Sequence, residues 1–367
     1  LIQNAVDCIQ KDDDVHNLYS EKNGKIKFNF QEKQVIFTHY GSPFTEKNYI
    51  SLIYQCGGMK EDDPSAIGRF GTGFLSTLVL SKIVHISGDL MLENGQMSGF
   101  EITINRTGNT TEELNKKIDE MENSKKLNLP IKRKTKFIFE LPSDQKFRDI
   151  SINAYNEGFE SLKENISPVL VLNPSIKTII IKKKGEKYSF SKIKSRLPLV
   201  QVIQHDNISY QSKKFIQYTK KDKFEYPNNQ IKEISVDCLL ECDEEYNIIP
   251  NKRSLYIGFP LFGPKKFDSP FILNSFDFEP EKERSDIILQ FDDKIQDSYE
   301  SCKNKFIISK GLELFEQTIK YAIENDCGNL YNAFYGLKSY FELSKFKFFS
   351  KNNSKIESTN RKLQEDV

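Results

Sequence analysis

Leu1, Ile2, Ala5 and Ile9 of LIQNAVDCIQ recur at helical spacing, so the chain opens on an amphipathic stripe. Asn4 and Asp7 stand three apart and project from adjacent points of one helix face. The pattern then switches to a period of two. KIKFNF and KQVIFTHYG alternate apolar with polar positions and are rich in β-branched and aromatic residues. They predict an antiparallel pair turning at Gln31, Glu32 and Lys33. Thr45 to Tyr54 predicts a short helix with Thr45 as its N-cap. CGGMKEDDPSAIGRFGTG fits neither period and predicts a loop, and FLSTLVLSKI after it predicts a strongly apolar helix. KIVHISGDLML, GFEITINR and KTKFIFELP predict three strands. Between the last two, TEELNKKIDEMENSKK carries Leu114, Ile118 and Met121 at helical spacing and predicts an inserted surface helix.

Pro142 and the polar SDQKF predict a domain boundary. FRDISINAYNEGFESLKENISPVLVL then predicts a helix closed by Pro168, followed by strands at SIKTIIIKKK, KYSFSKI, NISYQSKKFIQYTK and ISVDCLLEC. From about Asp292 the pattern is helical, and the end of the chain is polar. The expected organisation is a first domain over 1–142, a second αβ domain over 143–291, a helical segment over 292–345 and a tail over 346–367. In the first domain the order is helix, hairpin, helix, glycine loop, helix, three strands. That predicts an α+β sandwich with helices on one face of a mainly antiparallel or mixed sheet, not a doubly wound βαβ fold.

The length of 367 residues accommodates about two domains. A composition 38% hydrophobic and 12% aromatic supplies real cores and excludes disorder for most of the chain. Lys and Arg number 53 against 52 Asp and Glu, which excludes a globally basic nucleic-acid coat. No run approaches the roughly 20 apolar residues needed to span a bilayer, so no membrane partner is expected. The chain starts at Leu1 inside a helical pattern and reads as a piece of a longer protein without a signal peptide. Cys238 and Cys242 form C-x3-C with no second pair to complete a zinc site, and His16, His39, His85 and His205 show no metal-ligating spacing. Scattered thiols fit a reducing cytoplasm. The segment IKTIIIKKKGEKYSFSKIKSR is locally basic with Tyr188 and Phe190 interleaved. It reads as a lysine-decorated edge hairpin before it reads as a nucleic-acid surface.

The segment that carries chemistry is IGRFGTGF, with Gly68, Gly71 and Gly73. It does not follow a strand as a Rossmann loop must, and it ends in Gly-Phe where a Walker loop has Gly-Lys-Ser/Thr. It remains a loop whose glycines allow close backbone approach, feeding a predicted helix near Phe74 whose N-terminus suits a phosphate. Asn4 offers a neutral oxygen suited to Mg²⁺, which takes one or two protein ligands and completes its octahedron with water and phosphate. Thr135 is a hydroxyl among apolar strand residues.

Together and in this order these segments resemble the GHKL ATPase superfamily of gyrase B, MutL-type mismatch-repair proteins, histidine kinases and the large heat-shock chaperones. LIQNAVD resembles that family's E-L-I-x-N-A-x-D helix box, IGRFGTGF its I-G-x-F-G-x-G-F box, and KTKFIFEL the strand bearing its late threonine. FTHYGSPFT, GRFGTGFLST and the later LYIGFPLFG and SPFILNSFDFEPEKERSDI look like sacsin-N-terminal-like and heat-shock-chaperone-like members. The motifs cover residues 1 to about 142, and the later stretch extends the likeness to about 290.

The resemblance implies a Bergerat-type α/β sandwich that binds ATP, then a transducer-like αβ domain of the ribosomal S5 domain 2 type. It implies an Mg²⁺-dependent ATPase head of a larger chaperone-like or clamp-like protein, of a kind found in bacterial stress and antiphage defence loci. Fused or associated effector domains and a nucleotide-dependent dimer would be its partners. The alternatives are a nucleotide-gated sensing module and a mismatch-repair-like DNA clamp, and the neutral charge counts against the clamp. Residue by residue, Asn4 would ligate Mg²⁺ and Asp7 would shape the pocket. Gly68, Arg69, Phe70, Gly71, Thr72, Gly73 and Phe74 would wrap the phosphates. Lys60 would add charge at the γ-phosphate, and Thr135 would hydrogen-bond near the adenine. Arg284 would be returned to the γ-phosphate by the second domain, with Lys252 and Arg253 as alternatives. The family's general-base Glu would stand one residue before Leu1. The family's D-x-G appears as His39, Tyr40 and Gly41, so an imidazole stands where the adenine-reading carboxylate is expected.

Overall fold

The computed structural model describes residues 1–14, 24–54, 74–193, 198–226, 230–250, 254–263, 269–281, 285–290 and 298–333. The chain forms two compact units, Leu1–Lys192 with Val202–Gln211, and Ile193–Gln201 with Ser212–Val367. Among the described residues no helix is long and apolar enough to cross a membrane.

Among the described residues the first unit keeps the predicted helix, hairpin, helix and later strands in order and adds two short strands. Helix α1 (Ile2–Asp14) precedes the hairpin β1 (Lys25–Phe30) and β2 (Gln34–His39), closed by Gln31 N–H to Gln34 O at 2.9 Å. A short β3 (Phe44–Thr45) leads into α2 (Glu46–Tyr54), whose Asn48 N–H is capped by Thr45 Oγ1 at 3.2 Å. Then come β4 (Ile83–Met91), β5 (Met97–Asn105), α3 (Thr111–Ser124), β6 (Lys126–Leu129) and β7 (Thr135–Glu140). Helix α3 is the predicted insertion: Thr110 Oγ1 accepts from Glu113 N–H, Glu113 reaches back to Asn109 N–H, and Met121 is buried. The long α4 (Gln145–Leu172), then β8 (Thr178–Lys183) and β9 (Glu186–Ile193), complete most of the unit. The division between units runs through β10 (Leu199–His205).

The strands order as β6-β5-β4-β7-β2-β1-β8-β9. Neighbours pair antiparallel except β1 with β8, which run parallel. The register puts one continuous row of side-chain sets on a single face. Ile26, Phe28 and Phe30 stand beside His39, Phe37 and Val35, and these beside Thr135, Phe137 and Phe139. Val84 and Ile86, then Ile104 and Ile102, extend it. All of these are buried, whereas the alternate positions of β1 and β2 are only half-buried. The helices lie on the buried face. Phe30 meets Tyr155 and Phe159 of α4 edge-on at 5.2 Å each, contacts of about 1 kcal/mol beyond their buried area. Tyr49 of α2 meets Phe100 edge-on at 5.2 Å.

Four expectations change. The boundary placed at Pro142 falls inside the first unit, because α4 covers Phe30 and β8 pairs with β1. The helix closed by Pro168 runs on to Leu172. Its last turn is buried apolar residues, and Asn173 caps it through both its N–H and its side chain to Val169 O. The hairpin over residues 178–193 turns at Lys184 and Gly185, both at positive φ as a type I′ turn requires, but β8 is no edge. It lies between β1 and β9 with Ile179 and Ile181 fully buried. The apolar helix after the glycine loop is a five-residue 3₁₀ helix, Leu75–Val79. Thr77 spends both its N–H and its hydroxyl on Phe74 O, and Ser81 ends the turn by donating to Glu140 O at 2.5 Å.

The second unit is also αβ. The long antiparallel pair β11 (Tyr210–Glu225) and β12 (Ile231–Cys242) is extended by β13 (Leu255–Tyr256) and β14 (Ile272–Asn274), in the order β11-β12-β14-β13. Helix α5 (Tyr299–Glu324) covers this sheet, with Phe315 stacked on Phe271 at 4.3 Å. Cys238 and Cys242 belong to this core, and burial pushes the Cys238 thiol up to about 12. They are packing residues, inert as thiolates.

Candidate functional site

The first unit brings together residues that stand far apart in sequence. His39 ends β2 and Thr135 begins β7, and the register sets them directly opposite each other. Each is 3% exposed. They form a polar step on an otherwise apolar face, because period-two alternation sends both inward with Phe37 and Phe137. The imidazole lies 5.7 Å from the Phe37 ring and 6.4 Å from the Phe137 ring. Its Nδ1 has no hydrogen-bond partner among the described residues. Burial pushes its pKa down to about 4, so the ring is neutral near pH 7.

Gly41, two residues on, presses against α1. A methyl there would lie 3.0 Å from Cys8 C and Ile9 N, and Ser42 N–H donates to Cys8 O at 3.1 Å. This contact lies one helical turn beyond Asn4, which is half-buried, while Ala5, Val6 and Asp7 are buried. The last residue of the glycine box also reaches this neighbourhood: the Phe74 ring lies 6.2 Å from Phe137, two residues after Thr135. Lys60, Gly68, Arg69, Phe70, Gly71, Thr72 and Gly73 lie outside the described residues, as do Arg284, Lys252 and Arg253. Since a 3₁₀ turn and not a long helix follows Phe74, no helix dipole of consequence stands behind the box.

Two residues that sequence reading passed over complete the arrangement. Gly88 of β4 has no side chain to fill the face beside Thr135. A methyl there would lie 3.3 Å from both Thr135 Oγ1 and Phe100 Cε1, so glycine is what lets these two side chains close in over the strand. A glycine interrupting the strand pattern of KIVHISGDLML was the available signal. The buried Asp89 beside it accepts from Lys132 N–H and Arg133 N–H at 2.7 Å each, fixing the turn that delivers Thr135. Among the described residues no group of three or more His, Cys, Asp or Glu could hold a metal ion. A magnesium carried by phosphates needs no such group, and one neutral oxygen such as that of Asn4 fits it.

No family model matches the chain. No curated protein matches it either. Similar solved structures include the Aquifex aeolicus MutL ATPase domain complexed with ADP, at 11% identity and a TM-score of 0.35, covering 74% of this chain and 90% of that one. Another is the N-terminal domain of a DNA repair protein, at 12% identity and a TM-score of 0.39, covering 85% of this chain and 96% of that one. At such scores the likeness is faint.

Proposed function

We propose that the first unit binds ATP with magnesium as a GHKL-type nucleotide module, the ATPase head of a larger chaperone-like or clamp-like protein. One observation carries the reading. Four separate motifs converge on one corner of the buried face: the asparagine helix, the His39–Gly41 corner, the exit of the glycine box at Phe74, and Thr135. The orphaned Nδ1 of His39 suits a hydrogen bond to a base laid against the sheet. Asn4 would hold the magnesium, which would supply positive charge against the phosphates. By the same resemblance the glycine box would give backbone N–H groups to the phosphates, and Asp7 would shape the wall from inside α1.

Titration calorimetry with Mg-ATP tests this. Asn4→Ala should weaken binding by at least ~10-fold, the scale of one charge-assisted contact, with the melting temperature unchanged. Unchanged magnesium-dependent affinity overturns the assignment of the helix box.

A second reading, nucleotide sensing without turnover, is supported by His39, a buried neutral imidazole where the resemblance expects an adenine-reading carboxylate. Single-turnover hydrolysis measured at saturating ATP separates the two, since the sensing reading leaves bound ATP intact.

A further inference from the structure

The polar groups of this corner have no fixed hydrogen-bonding sign. His39 and Thr135 are each 3% exposed and stand side by side between Ile26 on one side and Gly88 with Phe100 on the other. A neutral imidazole carries one donor and one acceptor nitrogen and exchanges them by tautomerising. A threonine hydroxyl donates or accepts by rotating. The Nδ1 of His39 is committed to nothing among the described residues, so it is free to take either role. Adenine presents an amino donor at its 6-position, and guanine presents a carbonyl acceptor there. An ionised carboxylate, which only accepts, would oppose the guanine carbonyl and leave a buried acceptor unsatisfied.

We infer that this site takes ATP and GTP without distinguishing them, His39 meeting either base by moving one proton between its ring nitrogens. The inference rests on the nucleotide reading above and adds the class of base to it. A site built around one fixed acceptor rejects the wrong purine by roughly 10- to 100-fold, because a buried polar group is left unpaired. A site whose two polar groups both reverse sign has no such penalty to impose.

The test is calorimetric titration of the full chain with Mg-ATP and with Mg-GTP, for the wild type, His39→Asp and His39→Leu. The wild type should bind both with dissociation constants within about 5-fold of each other, since no unpaired group arises with either base. His39→Asp should open a preference for ATP of at least ~10-fold. His39→Leu has no polar atom to offer and should weaken both nucleotides by a similar factor. This variant decides the matter if the buried aspartate prevents folding. A wild-type preference above about 10-fold for either purine overturns the inference while leaving nucleotide binding intact. Selective loss of ATP alone in His39→Leu also overturns it, by showing that the imidazole acts as a fixed acceptor. Failure of the wild type to bind either nucleotide overturns the nucleotide reading itself, and the inference with it.

Discussion

His39 is uncharged in the folded chain near neutrality because burial pushes its pKa down to about 4, against an ordinary value of 6.5. Above pH 6.5 it is neutral folded and unfolded alike, so its contribution to stability is flat. Between 6.5 and 4 only the unfolded chain takes the proton, and acidification favours unfolding. Each pH unit in that window costs about 1.4 kcal/mol, so roughly 2 kcal/mol should be lost from pH 7 to pH 5. Urea denaturation at the two pH values checks this, and His39→Leu should lack that part of the dependence. Gly41 makes a different demand. The atoms a methyl would meet belong to the α1 backbone, so they cannot swing aside. Gly41→Ala should lift α1, cost about 1–3 kcal/mol and weaken Mg-ATP binding in the same variant. Thermal melts and calorimetry on one preparation report both. Asn4, His39, Gly41 and Thr135 were legible as motif positions. Their convergence was not, since only strand register sets residues 39 and 135 face to face.

Helical glycines show how an element's surroundings decide the sign of one substitution. Gly158 on α4 has open space where a side chain would go, so Gly158→Ala should stabilise by up to ~1 kcal/mol through helix propensity. Gly311 on α5 faces the fully buried Leu273, whose Cδ1 would lie 2.3 Å from an added methyl. Overpacking there outweighs the same propensity gain, and Gly311→Ala should lose ~1–2 kcal/mol net. Chemical denaturation of the pair gives shifts of opposite sign. The elements most legible in sequence were those whose signals are local: the β1–β2 hairpin, Thr45 as cap, and α3 with its buried Met121. Pro168 misled because proline punctuates a helix only where nothing else holds the turn. Here burial of Val169 to Leu172 and the Asn173 cap hold it. FLSTLVLSKI misled because apolarity carries no period of its own, and Thr77 and Ser81 settled the local bonding.

At the scale of the whole molecule, the composition shift at Pro142 marks a surface turn and not a boundary. A fragment over 1–142 leaves the outer edge of β1 unpaired and Phe30 uncovered, so it should show no cooperative thermal transition. A fragment over 1–211 should melt cooperatively, because it contains α4, β8 and β9. Circular dichroism of the two fragments decides it. Pairing between distant strands leaves no mark on local periodicity, which is why this boundary was illegible. The parallel partnership of Lys25 with Thr178 also has a consequence in time. During synthesis at roughly 5–20 residues per second, about 150 residues separate the emergence of β1 from that of its partner. For some ~8–30 s the nascent chain therefore carries a finished hairpin with one bare, apolar edge, and the ribosome-bound intermediate is the form of this protein most in need of a holding chaperone.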